Sequence, residues 1–278
     1  MIKRKFIVNI VAFCFGLFFV FATAGHLFAQ PPQPTRLPAT PPNRSAIRFQ
    51  QSALQPPTEA QGNCSRCQTD LVTLLVPIDD RTQNCSPRFS LTVQEHPSFY
   101  IYIKKLAALK EQIADTPPNF FISDNRSQTI LYEAQFSLPT ESGIFKIDLP
   151  SSMKLEVGKP YVWSLEFEDK VGIIGTIEGW IERIEMSPQL SRELTATTNP
   201  IERARLYANA GIWYDALDTL MQARQNADSQ ELKDQWVSLL NSIDVNDIED
   251  ASIVAVDVND ADPNRTTIPA GARSVKCL

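Results

Sequence analysis

The stretch Leu155-Glu156-Val157-Gly158-Lys159-Pro160-Tyr161-Val162-Trp163-Ser164-Leu165-Glu166-Phe167-Glu168 decides the fold. Tyr161, Trp163, Leu165 and Phe167 alternate with Val162, Ser164, Glu166 and Glu168, the period of a strand with one buried face. Gly158 permits the turn before it, and Pro160 fixes φ at the strand's start. The alternation aims Glu166 and Glu168 away from the Trp163 face and predicts a solvated surface for them. That argues against using Glu166, Glu168 and Asp169 as a pair of glycosidase carboxylates.

Working outward, similar short runs lie on both sides. Leu71 to Val76 stops at Pro77, Phe99 to Ile103 is aromatic and β-branched, and Phe120-Phe121-Ile122 stops at Ser123-Asp124-Asn125. Thr129 to Leu138 stops at Pro139, Ile144 to Leu149 stops at Pro150, and Val171 to Ile184 closes the series. Strands at this spacing, divided by turn residues, predict an antiparallel β-sandwich. Lys104 to Ala114 is the exception, with Leu106, Leu109 and Ile113 at helical spacing. Tyr161 after its glycine turn is similar to the tyrosine corner of immunoglobulin-like domains, whose hydroxyl bonds back to the backbone a few residues upstream.

After Pro188 the period becomes 3.6. Asn199-Pro200 is a cap and first-turn signal, Gly211 breaks the first helix, Trp213 to Gln225 forms a second and Ser229 caps a third. Tyr207, Gly211, Ala216, Leu220 and Ala223 resemble the packing positions of a tetratricopeptide repeat, with Asp228 where that repeat usually has proline. A single repeat cannot bury its apolar face alone, so the sandwich, the third helix or a partner must cover it.

The ends carry other signals. Lys3, Arg4 and Lys5 precede an apolar run to Phe21 and small residues at Ala22, Ala24 and Ala29, the layout of a secretory signal peptide. The expected organisation is therefore a signal at 1–29, a proline-rich disordered linker at 30–62, a β-sandwich at 63–186, a three-helix unit at 199–250 and a disordered acidic and polar tail at 251–278. Asp260-Ala261-Asp262-Pro263-Asn264 has oxygens at alternate positions but lacks the glycine and the final glutamate of a calcium loop. Export places the mature chain in the periplasm or outside the cell, with no stable membrane span once the signal is cleaved.

The formal net charge is −6, and loss of Lys3, Arg4 and Lys5 takes it three units lower. Such a surface repels nucleic acid and anionic lipid. Cys64, Cys67, Cys85 and Cys277 remain after the signal, an even number that suggests disulfides in an exported chain. Cys64 and Cys67 also have CxxC spacing, which serves thiol exchange or half a zinc site. Pro56, Pro57, Gly62 and Asn63 put that pair in a loop, which favours a structural role.

The blocks Leu74-Leu75-Val76-Pro77, Phe99-Tyr100-Ile101-Tyr102, Phe136-Ser137-Leu138-Pro139, Leu155 to Trp163, Glu178-Gly179-Trp180-Ile181 and Gly211 to Leu217 occur in this order. In them the chain resembles the cyanobacterial exported family known as domain of unknown function 928, over about Asp70 to Asp250. The resemblance implies an envelope location and an accessory role in secretion or surface display; it implies no catalytic residue and no cofactor. Relatives carry a longer insertion with a cysteine where this chain has its short Glu168 to Gly172 turn, so a disulfide there does not carry over.

No nucleophile elbow, phosphate loop, dinucleotide fingerprint or HExxH occurs, and a catalytic triad would have to use His96. A non-enzymatic protein-interaction or assembly module is the expected function. Trp180, Trp213 and Tyr214 are the candidate interface. On the strand around Trp180, Ile177, Gly179 and Ile181 share the core face, which turns Trp180 outward, either to pack on the helical unit or to meet a partner. The competing expectations are a carbohydrate-binding sandwich, which needs exposed aromatics, and a thiol-redox or metal-binding protein built on the CxxC.

Overall fold

Apolar alternation and turn residues place most strands where the sequence puts them. The structure is a computed structural model and describes residues 46–58, 70–81, 87–114, 116–246, 248 and 250–260. These residues form nine strands and five helices, an α+β arrangement. The signal segment and all four cysteines expected in the mature chain lie outside the described residues, as does the chain beyond Asp260.

Strands β1 (Val72–Leu74), β3 (Ser98–Ile103) and β6 (Gly143–Asp148) form a three-stranded antiparallel sheet in the order β1-β3-β6. The second sheet has six strands in the order β2-β8-β7-β4-β5-β9. Its members are β2 (Phe89–Thr92), β8 (Ile173–Arg183), β7 (Pro160–Glu168), β4 (Asn119–Asp124), β5 (Ile130–Phe136) and β9 (Val258–Asp260). Aromatic rings join the facing sides of the sheets: Phe99 lies 5.0 Å from Trp163 and 5.1 Å from Phe120, and Phe136 lies 5.1 Å from Phe145. The Tyr161 hydroxyl accepts the Glu156 N–H at 3.0 Å, five residues upstream, and Gly158 adopts φ +73° between them. Helix α1 (Leu106–Ile113) buries Leu106, Leu109 and Ile113 as their spacing predicts.

The all-antiparallel expectation is corrected. Strand β2 pairs with β8 in parallel, Phe89 opposite Trp180 and Thr92 opposite Arg183. Four residues after Pro87 are too short a run for alternation to announce, and strand direction depends on where the chain enters the sheet. The solvated face expected for Glu166 is corrected too. Glu166 does point away from Trp163, but it is 2% exposed, on a side of the sheet shared with buried Asn119, Phe121, Thr176 and Trp180. Alternation tells which side chains share a face, not whether that face meets water.

Helices α2 (Pro188–Thr195), α3 (Pro200–Asn209), α4 (Trp213–Asn226) and α5 (Gln230–Asn241) follow the sheets. Ser187 caps α2 by accepting the Leu190 N–H, Asn199 caps α3 through the Ile201 N–H, and Ser229 caps α5 through the Leu232 N–H. Pro188 and Pro200 stand in the first turns, where no N–H is needed. Gly211, at φ +74°, makes the tight turn from α3 to α4. Helix α2 is an addition: it lies between the two regions read from the sequence. Among the described residues no helix is long and apolar enough to cross a membrane. Sheets and helices share one hydrophobic core, which contains Phe99 and Trp163 as well as Trp213, Leu220 and Trp236.

Parts of two stretches expected to be disordered, residues 46–58 and 251–260, are ordered. Within the proline-rich span, Ile47 is fully buried and the Phe49 ring sits edge-on to Trp213 at 5.2 Å. Ile47, Phe49 and Gln50 are hydrogen-bonded to the helices, and Arg81 donates to the carbonyls of Ser52 and Leu54. Prolines on either side hide the alternation of Ile47, Arg48 and Phe49. At the other end, residues 251–260 return to the sheets. The Val254 N–H donates to Ile144 O, and β9 pairs antiparallel with β5. The run Ile253 to Val256 is apolar, but it is short and is followed by Asp257, Asp260 and Asp262, which hides it in a window that reads as a polar tail.

Candidate functional site

The first turn of α4 is driven into the end of the sheets. Trp213 donates its indole N–H to Leu75 O at 2.7 Å. The Tyr214 hydroxyl accepts the Trp163 indole N–H at 2.7 Å and donates to Trp180 O at 3.3 Å. The Tyr214 ring also lies 5.7 Å from Phe99. Trp163 can occupy this place because Gly179 opposite it has no side chain; a Cβ there would lie 2.7 Å from the indole.

The interface residues expected from the sequence are therefore internal. Trp180, Trp213 and Tyr214 are 3%, 0% and 2% exposed. Trp213 and Tyr214 join helix to sheet, as an aromatic seam requires. Trp180 meets Tyr214 only through its backbone carbonyl; its side chain packs with Phe89, Leu91 and Val162 and donates to Asn125 Oδ1 at 3.1 Å. The strand's alternation turns the Trp180 side chain off the core face, away from Tyr214.

The next residue of that first turn, Asp215, closes the same junction. Its Oδ2 accepts from the Thr92 hydroxyl at 2.8 Å and from the Val93 N–H at 3.2 Å, and its Oδ1 accepts from Gln94 Nε2 at 3.1 Å. Burial pushes its carboxyl up to about 6, against the pull of those three donors, and nearby Asp218 adds to the rise. Asp215 and Asp218 line a recess of about 540 Å³ with Gln94, Arg203, Tyr207 and Gln222. Asp218 accepts the Tyr100 hydroxyl at 2.6 Å and Gln222 Nε2 at 2.6 Å. Lys146 Nζ lies 3.7 Å from Asp218 and 2.9 Å from Asp148. Burial raises the Tyr100 phenol well above its ordinary range, with the Asp218 charge second. These acceptors are bonded to the protein's own donors, so the recess offers a hydrogen-bonding wall rather than a free base.

Other candidates are scattered. His96 is exposed, with Nδ1 2.8 Å from Met153 O, and belongs to a loop. Asp169 accepts the Val171 and Gly172 N–H groups in a tight turn. Cys64, Cys67, Cys85 and Cys277 lie outside the described residues, as does most of the acidic stretch from Asp260. Sequence reasoning missed Asp215, Asp218 and Tyr100. The available signal was an acid inside the apolar run Ile212-Trp213-Tyr214-Asp215-Ala216-Leu217, since a charge in a buried stretch needs partners.

The family described as Domain of Unknown Function (DUF928) matches residues 56–253, well over half of the chain and spanning both the sheets and the helices. No curated protein matches it.

Proposed function

The chain belongs to the DUF928 family, and on that premise, which assigns no chemistry, we propose that it is a non-enzymatic exported protein of the cell envelope, cyanobacterial in origin. It works as an interaction or assembly module, accessory to secretion or surface display. We read its β region as an immunoglobulin-like sandwich, for which the Tyr161–Glu156 bond speaks. We read α3 and α4 as one tetratricopeptide-like repeat. The signal layout at Met1 to Ala29 supports export.

The observation that carries the interaction role is the recess beside α4. It is open and mixed in character, with Gln94, Arg203, Asp218 and Gln222 beside Pro200, Ala223 and Leu232, whereas small-molecule sites are mostly apolar and enclosed. Its hydrogen-bonding groups suit the rim of a protein contact. The carbohydrate alternative is weaker because Trp163, Trp180, Trp213 and Trp236 are all buried, which leaves no tryptophan platform for a sugar ring. A photo-crosslinking residue at exposed Gln222, followed by recovery from envelope extracts, tests the role. A discrete protein adduct that is lost on Arg203→Ala supports it. Saturable binding on a glycan array with no protein adduct overturns it.

A further inference from the structure

Residues 46–51 lie across the helices in alternating fashion, with Ile47 buried, Arg48 exposed and Phe49 half-buried. The helices hold this strap chiefly by its main chain. The Ile47 N–H donates to Gln235 Oε1 at 2.8 Å, and the Ile47 carbonyl accepts from Ser238 Oγ at 2.8 Å. The Phe49 N–H donates to Ser242 Oγ at 2.9 Å, and the Gln50 N–H donates to Ala208 O at 3.0 Å. Gln235, Ser238 and Ser242 are three and four residues apart, so they form one line along α5 and its cap.

Two features mark this line as a receptor. Gln235 is 1% exposed, and a buried amide left without its partner is costly, so the line requires an extended main chain in place. Gly211 is shaped to the same backbone: a Cβ there would lie 2.9 Å from the Ser52 Cα and N. Selection by side chain falls at two points, a closed socket around Ile47 and the Trp213 ring, which Phe49 meets at a near-perpendicular angle. Main-chain bonds read any extended segment, and the sockets select an aliphatic residue followed, two places on, by an aromatic one.

We propose that Gln235, Ser238 and Ser242 form a receptor for an extended protein segment, filled in cis by Ile47 to Gln50. A partner enters by exchanging its own aliphatic-x-aromatic segment for the strap. The proposal rests on the interaction role above and names the chemistry of the partner's segment.

The test uses the full chain carrying Ile47→Asp and Phe49→Ser, which vacates the line without truncation. The probe is a fluorescent peptide with the sequence of residues 45–51. Saturable binding to this chain is expected, about tenfold or more weaker to the unaltered chain, where the strap competes, and about tenfold weaker when Gln235→Leu is added. A folded variant with no saturable binding up to about 1 mM peptide overturns the proposal. If the variant does not fold, hydrogen exchange on the unaltered chain decides. Excess peptide should speed exchange at Ile47, Phe49 and Gln50, and unchanged protection overturns the proposal. Concentration-dependent dimers that trade straps would overturn the assignment to a foreign segment. A protein adduct at Gln222 together with a failed peptide titration removes the receptor and leaves the interaction role standing.

Discussion

The Tyr214 hydroxyl and the Trp163 indole N–H meet at 2.7 Å, joining the start of α4 to the central strand β7 inside the shared core. Without it the buried indole N–H would have no acceptor, while the hydroxyl would keep only its bond to Trp180 O. Removing one partner leaves the other unsatisfied. Tyr214→Phe should therefore lower stability by about 1–3 kcal/mol, seen as a lower urea midpoint. Tryptophan emission should shift in the native state as the indole loses its acceptor. A midpoint equal to that of the unaltered chain would show that the junction does not depend on this bond.

Gly179 is the second half of that arrangement. Any side chain there meets Trp163 across the β7–β8 pair, at 2.7 Å for a bare Cβ. Gly179→Ala should destabilise by about 1–3 kcal/mol through overpacking. The check is thermal unfolding. A double variant with Trp163→Phe should recover part of the loss, because the smaller ring vacates the contact.

Tyr161→Phe should cost about 1 kcal/mol, because the Glu156 N–H loses its acceptor at a turn that Gly158 holds in the left-handed region. Denaturant unfolding measures it. No change within error would mean that water replaces the hydroxyl at no cost.

Asp215 predicts a pH dependence. Its folded pKa is about 6, above the ordinary carboxyl value of 3.8. A pKa raised on folding contributes stability that is complete below the unfolded value and lost as pH rises through the folded one. For Asp215 the window runs from about pH 4 to pH 6, and the loss is on the order of 3 kcal/mol. Asp215→Asn stays neutral throughout. The unaltered chain should therefore fall relative to the variant as pH rises from 4 to 7. A difference in unfolding midpoint that stays constant across this range would contradict the prediction.

Much of the fold was legible along the chain because its signals are local. The alternation of Tyr161, Trp163, Leu165 and Phe167 identifies β7, Asn199-Pro200 and Ser229 begin helices, and Gly158 and Gly211 turn the chain where φ is positive. Short or disguised elements were not legible. β2 has four residues, β9 has three, and the Ile47 strap lies among prolines. Each is held by bonds to residues far away in the chain, which composition over a short window does not carry.

By itself the sequence determined the period of each long element, its caps and turns, and which side chains share a face, because these follow from backbone geometry within a few residues. Only the tertiary structure decided what covers those faces. It put Trp180 with Phe89 and Leu91 rather than against the helices, and it buried Glu166 on the sheet's second side. It also brought Thr92, Val93 and Gln94 to Asp215 across more than a hundred residues. The physical reason is that burial and hydrogen-bond satisfaction belong to the assembled surface, which exists only once distant segments have met.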